Sequence, residues 1–452
     1  MTSTAQQTSS LDSFGVGLGA TIIRKGDTDY DSARRVWNGM IDRSPAIIVR
    51  PTSTAEVVAA VNLARDNGLV LAVRGGGHNA AGLGVCDDGV VIDLSAMRGV
   101  RVDAANRVAY VQGGALWRDL DAATHPHGLA TTGGLISSTG VGGLTLGGGL
   151  GWMMRQHGLA CDNVIAAEIV TADGQVRRAS ATENPDLFWA IRGGGGNFGV
   201  VTTFEFKLHP MKTLYAGMLV FPAPRAPEVL RRYRDLAMAA PDELTLFTGL
   251  MTSPDGVPIN AVFAAYNGPT SKGEAAIKPL RDLGPVADMV QEMPYPALQS
   301  MLDDGFPHGL NVYWRLDFLK GLPDAALDML VDRFNAITSP LSALLIEQFG
   351  GAVARVPADE TAFAQRDALF NLAIISRWAD ASTAQTHIDW AKKSSEAARP
   401  FASGGVYVNY LGVEGADRVK AAYGSKYEKL VAVKTKYDPA NLFSMNQNIL
   451  PK

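Results

Sequence analysis

The hydrophobic pattern near the start of the chain combines two short apolar runs with one amphipathic segment between them. Residues 46–50 and residues 68–73 are apolar runs bounded by proline or glycine, so we predict a buried strand for each. Residues 53–66 predict a helix, because Ser53 and Glu56 have the spacing of a capping box ahead of apolar residues at helical intervals. The order strand, helix, strand indicates an α/β beginning.

The pattern continues up to about residue 208, after which its character changes. In the first part, the predicted strands are residues 89–94, 107–112, 163–171, 175–178 and 200–208, and the predicted helices are residues 30–38, 115–124 and 184–191. Beyond Pro210 glycines become rarer, and longer strands alternate with helices in a way typical of an antiparallel sheet. There the predicted strands are residues 244–251, 259–265, 311–319, 343–349 and 370–378, and the predicted helices are residues 226–238, 323–337 and 384–398.

Length and composition restrict the class of protein. A chain of 452 residues is too long for one ordinary core, so two domains are expected. The net charge of −4 gives no sign of electrostatic capture of nucleic acid or of an anionic membrane. No apolar stretch is long enough to span a bilayer, and the polar start lacks the features of a signal sequence. The two cysteines, Cys86 and Cys161, exclude a disulfide framework and favour a reducing compartment, so we expect a cytoplasmic protein.

Three consecutive glycines, Gly75 to Gly77, lie between Arg74 and His78 directly after the second predicted strand. Glycine costs chain entropy and packs no core, so such a run indicates a sharp turn or backbone that comes close to a ligand. Bare amide groups in a turn of this kind can converge on an anion. We therefore predict that this loop binds a phosphate-bearing ligand.

Two common nucleotide motifs do not account for the glycines. No Gly-Lys-Ser or Gly-Lys-Thr triplet follows them, which argues against a Walker A loop. Gly194, Gly196 and Gly199 have Rossmann spacing, but they follow a predicted helix and precede a predicted strand, which is the wrong order. A phosphate-binding loop outside a Rossmann fold is the hypothesis that remains.

Other chemically interesting residues have ordinary structural interpretations as well. From spacing alone, His78 is more often a loop imidazole bonded to nearby backbone than a ligand-binding group. His125 and His127 lack an acidic or cysteine partner nearby, so we predict a surface turn and no metal site. Aromatic residues of the later strands are more often core, yet alternate residues face opposite ways and one set is a candidate cavity lining; they are Phe247, Phe263, Tyr313, Trp314, Phe349 and Trp378.

Several motifs, taken in order, resemble the FAD-linked oxidases of the vanillyl-alcohol oxidase superfamily, and the tail resembles its berberine bridge enzyme-like branch. The match covers about residues 30–210 and 400–450 and is weak between them. The motifs are Arg74-Gly75-Gly76-Gly77-His78, Gly140-Val141-Gly142-Gly143, Asn184-Pro185-Asp186-Leu187-Phe188-Trp189, Tyr407-x-Asn409-Tyr410 and Tyr437-Asp438-Pro439-x-Asn441.

The resemblance implies an α+β fold: a two-part FAD-binding domain of the p-cresol methylhydroxylase type plus an α/β substrate domain with an antiparallel sheet. We place the FAD-binding domain at residues 1–211, the substrate domain at 212–400, and a C-terminal segment that returns to the flavin at 401–452. The residues expected to bind FAD are Arg74, Gly75, Gly76, Gly77, His78, Asn79, Gly133, Thr139, Gly140, Gly142, Gly143, Gly147, Gly148, Val200, Val201, Tyr407, Asn409 and Asn446.

The resemblance also implies that His78 is bonded covalently to the flavin, which reverses the ordinary interpretation of this histidine. Many relatives have a second bond from a cysteine shortly before the Gly-x-Gly-Gly motif, but Ile136 stands there in this chain. Cys86 and Cys161 match neither position. We therefore expect FAD to be attached through His78 only.

The base that removes a proton from the substrate does not follow the pattern of the plant branch. The plant branch often carries a glutamate four residues after a Gly-Gly pair, and Arg355 stands at that spacing here. Glu347, just before the pair, is a candidate substitute; its alternative is a surface carboxylate. Tyr410 matches a tyrosine proposed as base in related enzymes, and Arg355 or another cation would then lower its pKa.

The leading hypothesis is an oxidase that transfers a hydride from a small cyclic or aromatic alcohol, amine or phenol to the flavin and reduces O₂ to H₂O₂. The alternatives are a flavin dehydrogenase with another acceptor, an oxygen-inserting tailoring enzyme, and a non-catalytic flavin carrier. The expected partners are a small-molecule substrate and O₂, with neither nucleic acid nor membrane, and a homodimer is left open.

Overall fold

The computed structural model describes residues 11, 14–15, 17–412 and 414–452. Its first four strands are β1 (Thr21–Arg24), β2 (Ile47–Arg50), β3 (Leu71–Arg74) and β4 (Val90–Asp93). They form a sheet in the order β1-β2-β4-β3, in which β1 is antiparallel and the other pairs are parallel. The glycine loop leaves this sheet at the end of β3, on its edge.

A second sheet follows along the chain. The next strands are β5 (Val100–Asp103), β6 (Val108–Gln112), β7 (Leu129–Ala130), β8 (Val164–Val170), β9 (Val176–Ser180), β10 (Val200–Lys207) and β11 (His209–Pro210). Five of them form an antiparallel sheet in the order β5-β6-β10-β8-β9, while β7 and β11 pair with each other. The helices of this part are α1 (Tyr30–Ala33), α2 (Thr54–Asp66), α3 (Trp117–Thr124), α4 (Val141–Leu146), α5 (Met154–His157) and α6 (Pro185–Ala190).

The first two helices show which helix bounds local sequence signals can predict and which they cannot. Helix α2 begins as predicted, because the Ser53 side chain accepts a hydrogen bond from the Glu56 N–H. The Glu56 carboxylate reaches the N–H of Thr52, one residue earlier than a capping box requires. Helix α1 is shorter than the predicted 30–38, since Trp37 N–H donates to the Gly77 carbonyl instead of continuing the helix.

The third sheet has eight antiparallel strands and takes up the middle of the chain. Its strands are β12 (Thr213–Pro222), β13 (Leu244–Thr252), β14 (Pro258–Tyr266), β15 (Ala287–Asp288), β16 (Gln291–Pro294), β17 (Asn311–Leu319), β18 (Ala343–Gln348) and β19 (Phe370–Trp378). Their order is β15-β12-β14-β13-β18-β19-β17, and β16 also pairs with β12. The helices are α7 (Ala226–Ala239), α8 (Thr270–Arg281), α9 (Tyr295–Ser300), α10 (Asp324–Asn335), α11 (Ala352–Arg355) and α12 (Ala384–Ala398).

The last part of the chain runs back to the first part. It carries α13 (Ala416–Tyr423) and α14 (Tyr427–Tyr437), and their buried residues share a core with β6, β8 and β10. We keep the boundaries at residues 211 and 400 as our proposal, since β1 to β11 build the smaller sheets and β12 to β19 the large one. Among the described residues, no helix is both long and apolar enough to cross a membrane.

Candidate active site

One large cavity lies where the glycine loop after β3, a second glycine-rich region at residues 131–152 and the large sheet meet. Most of the residues predicted to bind FAD line it: Arg74, Gly75, Gly76, Gly77, His78, Asn79, Thr139, Gly140, Gly142, Gly143, Val200, Val201, Tyr407, Asn409 and Asn446. Residues from distant parts of the sequence, between Arg74 and Asn446, thus share one site. Tyr410 lines the same cavity.

The first glycine loop offers a continuous run of free amide groups. Within the described ranges, none of the backbone N–H groups of residues 75–79 donates a hydrogen bond. Gly76 presses against the second loop, because a Cβ built there would lie 2.3 Å from the Gly140 amide nitrogen. Gly77 has a φ of +69°, which favours glycine. These amides form a cradle that suits a phosphate-bearing group.

Arg74 supports this loop through its guanidinium group. Its Nη2 lies 2.9 Å from Asp93 Oδ2 and donates to the Ala33 carbonyl at 2.5 Å. Asp93 is the last residue of β4 and pairs with Arg74, the last residue of β3, so the ion pair fixes the end of one strand to its neighbour. Asp93 also pairs with Arg50, and the Arg74 side chain holds the loop in place.

His78 is enclosed by aromatic and polar neighbours. Its ring stacks on Trp37 with centroids 5.4 Å apart and meets His308 edge-on at 5.3 Å. Its Nε2 lies 3.0 Å from Ser138 Oγ, while its Nδ1 makes no hydrogen bond to any described residue. Burial, with smaller effects of His308 and Arg118, lowers the pKa of His78 to about 3, so the imidazole is neutral near pH 7.

Three of the predicted FAD-binding glycines, Gly133, Gly147 and Gly148, are not among the residues that line the cavity, and each lies against another side chain of the protein. A Cβ on Gly147 would lie 1.9 Å from Asn409 Oδ1, and one on Gly148 would meet Phe363 at 2.9 Å. Gly133 is similarly close to Trp117, at 2.7 Å. Their small size makes room for the protein's own chain.

The C-terminal segment closes the cavity through its Tyr-x-Asn-Tyr motif. Tyr407 Oη accepts hydrogen bonds from the Gly149 N–H and from Asn409 Nδ2, both at 2.8 Å. Asn409 Nδ2 also donates to the Leu144 carbonyl at 2.8 Å. These contacts tie the segment to the second glycine-rich region, which leaves Tyr410 facing the cavity.

Tyr410 and Glu347 form a hydrogen-bonded pair near the end of β18, an inner strand of the large sheet. Tyr410 Oη donates to Glu347 Oε1 at 3.2 Å, and Asn371 Nδ2 donates to Glu347 Oε2 at 2.6 Å. Glu347 is fully buried, so the alternative of a surface carboxylate is wrong. Burial raises the pKa of Glu347 to about 7, although both hydrogen bonds act to lower it.

Arg355 does not belong to this site, and its predicted role was wrong. Its guanidinium is exposed and forms an ion pair with Asp242. The pKa of Tyr410 is instead raised well above its ordinary value, by burial first and then by Glu347 and Tyr407. Tyr410 is therefore neutral, and any proton that it receives must pass on to Glu347.

The cavity lining contains no cysteine among the described residues. Ile136 lines the cavity at the position where many relatives carry the cysteine before the Gly-x-Gly-Gly motif. Cys86 and Cys161 are both buried elsewhere. No group of three or more His, Cys, Asp or Glu side chains in the described part of the chain is placed to hold a metal ion. Among the described residues, the groups that the lining offers are thus the glycine loops, His78 and Tyr410, with Glu347 bonded behind Tyr410.

Sequence reasoning missed several residues of the site. Trp37, Ser138 and His308 surround His78, and Asn371 supports Glu347. For the part of the cavity wall formed by the large sheet, the alternation of residues along the later strands was the useful signal, since it marked Phe263 and Trp314 as candidates. The others come from distant parts of the chain and carry no local pattern.

Comparisons with known proteins identify the family. An FAD binding domain matches residues 45–180, and a berberine and berberine-like domain matches residues 406–450. An FAD-linked oxidoreductase of Dictyostelium discoideum is 34% identical, with 98% of this chain and 97% of that protein covered. The (R)-6-hydroxynicotine oxidase of Paenarthrobacter nicotinovorans is 32% identical, with 95% and 96% covered. The chain therefore belongs to the berberine bridge enzyme-like FAD-linked oxidoreductases.

A solved structure supports the same assignment. That of 6-hydroxy-D-nicotine oxidase from Arthrobacter nicotinovorans has a TM-score of 0.89 at 28% identity, covering 97% of this chain and all of that one. The predicted α+β fold class and the family resemblance are both confirmed. The protein is an FAD-linked oxidoreductase, and the free amides of residues 75–79 fit the pyrophosphate of its cofactor.

Proposed function

We propose that the protein is an oxidase that takes a hydride from a small cyclic or aromatic alcohol, amine or phenol. When bound, FAD supplies the redox chemistry by accepting the hydride and passing the electrons to O₂, which becomes H₂O₂. The observation that carries the proposal is the Tyr410–Glu347 pair, in which a proton acceptor lies directly behind a tyrosine that lines the cofactor cavity. Loss of a hydride and a proton together converts an alcohol to a carbonyl compound or an amine to an imine.

The proton route follows from the hydrogen-bond geometry. Tyr410 Oη faces the cavity and can accept the proton of the substrate O–H or N–H while its own proton moves to Glu347 Oε1. Glu347 can accept this proton only when it is ionised, because a protonated carboxyl group is not a base near neutral pH. Asn371 holds the other carboxylate oxygen, so the receiving oxygen stays oriented toward Tyr410.

The experiment that tests the proposal is an anaerobic screen of alcohols, amines, sugars and phenols for bleaching of the flavin absorbance. We expect at least one cyclic or aromatic compound to bleach it, and admission of air to restore it with about one H₂O₂ per substrate oxidised. Bleaching without peroxide would support a dehydrogenase instead. Peroxide well below one equivalent, with oxygen from O₂ in the product, would support a tailoring enzyme.

We further propose that FAD is attached through His78 alone. The neutral imidazole can carry its proton on Nε2 and donate it to Ser138 Oγ, which leaves the Nδ1 lone pair free to bond the flavin. Stacking on Trp37 fixes the plane of the ring. With Ile136 in place of a cysteine, the lining offers no thiol for a second bond.

Acid precipitation tests this attachment. Flavin should precipitate with the wild-type protein and remain in solution with His78→Ala. Trypsin would release the flavin on the peptide of residues 75–98, which also contains Cys86. Cys86→Ser is therefore the matched control, and we expect it to keep its flavin. Flavin that stays bound to His78→Ala after acid treatment would contradict the proposal.

A further inference from the structure

The wall of the cavity formed by the large sheet consists of aliphatic and aromatic side chains, and its one polar side-chain atom among the described residues is Trp314 Nε1. Side chains on one face of this sheet alternate with those on the other, and the pairing of Trp314 with Ile375 and of Ile375 with Ala343 places these three on one face. Six sheet residues line the cavity: Met251, Phe263, Trp314, Ala343, Leu345 and Ile375. The proton-accepting Glu347 continues the same face of β18, two residues beyond Leu345.

The segment that covers this wall is apolar on its inner side as well. Leu302 and Phe306, between α9 and β17, both line the cavity. The segment is anchored from outside, because Asp303 Oδ1 accepts the Ser137 N–H at 2.8 Å and the Phe306 carbonyl accepts Trp37 Nε1 at 3.1 Å. These two polar groups are thus used for anchoring.

Formal charge is almost absent from the lining. Of the lining residues described, only Arg74 carries a charge near pH 7, and it is paired with Asp93. Arg377 lies on the same face of β19 as Ile375, but it is not part of the lining. Its guanidinium sits 4.4 Å from the Phe306 ring centroid and donates to the carbonyls of Gly305 and Leu341.

Aromatic rings surround the place where the polar group of a substrate would meet Tyr410. Trp314 contacts Tyr410 edge to face at 5.0 Å and Trp37 at 5.5 Å. Such edge-to-face contacts favour a further flat ring over an aliphatic or sugar ring of the same size. A sugar would also leave most of its hydroxyls without partners against the sheet, and each unpaired buried hydroxyl opposes binding.

We propose that this cavity selects uncharged aromatic substrates and rejects sugars and ions, with Met251, Leu345 and Ile375 as the residues that set the selection. The proposal rests on the proposed function, because it concerns the substrate of the same site. An ion in this cavity would lose its water without gaining a counter-charge. An amine substrate must accordingly bind in its neutral form.

Equilibrium binding to the FAD-loaded protein tests the selection without requiring turnover. The probes are 2-naphthylmethanol, which is neutral, 2-naphthoate, which is an anion with the same ring system, and D-glucose, which is a neutral sugar with the same number of non-hydrogen atoms as the alcohol. We expect the dissociation constant of the alcohol, from calorimetry or tryptophan fluorescence, to be at least about tenfold lower than those of the other two. Equal or tighter binding of glucose or naphthoate would overturn the proposal, and tighter naphthoate would point to Arg377 as an anion anchor.

A pair of lysine substitutions shows whether the sheet wall makes the selection. Met251 is partly exposed near the end of β13, so a lysine there can place its charge in the cavity mouth. Val257, in the adjoining turn, is 49% exposed and outside the cavity, which makes Val257→Lys the matched control. We expect naphthoate to bind Met251→Lys at least about tenfold more tightly than wild type or Val257→Lys.

The outcomes separate this inference from the proposed function. No gain in naphthoate binding by Met251→Lys, or the same gain in Val257→Lys, would overturn the assignment of the selecting wall. A protein that shows the expected binding order but never bleaches its flavin would leave the selection standing and would instead contradict the proposed oxidase.

Discussion

At the scale of single residues, the site depends on one carboxyl group kept out of water. Glu347 is fully buried, and its neighbours supply two hydrogen bonds but no cation. Burial without a counter-charge raises the pKa of Glu347 to about 7, which is where a proton acceptor works best at neutral pH. Tyr410, whose pKa lies well above its ordinary value, separates this carboxyl from the cavity and acts as the contact with the substrate.

This arrangement predicts a pH dependence of flavin reduction. Glu347 is protonated below pH 7 and ionised above it, so the anaerobic reduction rate should rise with pH through about 7. Glu347→Gln and Tyr410→Phe should both lower the rate at pH 8 at least about tenfold and remove this step. Stopped-flow absorbance of the flavin, measured at several pH values with one fixed substrate, gives both quantities.

A second buried carboxyl provides the control for this prediction. Burial also raises the pKa of Asp121 to about 7, but Asp121 lies in α3, outside the cavity, with Gln299 Nε2 at 3.3 Å. Asp121→Asn should therefore keep the wild-type step. If Glu347→Gln keeps the step and Asp121→Asn loses it, the proton acceptor has been assigned to the wrong carboxyl.

At the scale of secondary-structure elements, local sequence patterns predicted the elements whose bounds depend mainly on local interactions. The cap of α2 and the strands β17 and β19 were predicted from capping and alternation, and the last two have the predicted bounds. The glycine loop after β3 was predicted because a run of glycines costs chain entropy and packs no core, and therefore indicates a turn or a contact with a ligand. Because glycine has no side chain, the same loop can also turn its free amide groups toward the cavity.

Elements that depend on tertiary contacts were missed. Helix α8 contains Pro279 and Gly273, which argue locally against a helix; Gly273 is small because Tyr215 packs 2.9 Å from where its Cβ would lie. Strand β12 has Gly217 in its middle, at a φ of +148° beside the Met289 carbonyl. Arg355 had the right spacing in sequence but lies on the surface, since spacing after the Gly-Gly pair does not fix the direction of the chain.

At the scale of the whole molecule, a buried ion pair within the C-terminal segment lies where that segment contacts the first part of the chain. Lys434 and Asp438 have fully buried side chains, and Lys434 Nζ lies 2.6 Å from Asp438 Oδ2. Lys434 also donates to the Asn197 carbonyl at 2.8 Å, while Asp438 accepts the N–H groups of Leu442 and Phe443. The pair thus fixes the path of the chain just before Asn446 and its neighbours, which line the cavity.

Breaking this pair should loosen the cofactor cavity as well as the fold. Lys434→Met keeps the length of the side chain but leaves the Asp438 carboxylate buried without a cation, which typically costs about 3–5 kcal/mol. We expect a clearly lower urea midpoint of unfolding, together with greater exposure of the flavin to fluorescence quenchers. Lys436→Met is the control, because the exposed Lys436–Asp186 pair should contribute less than about 1 kcal/mol. Equal midpoints for the two variants would mean that the tail is held by its apolar core alone.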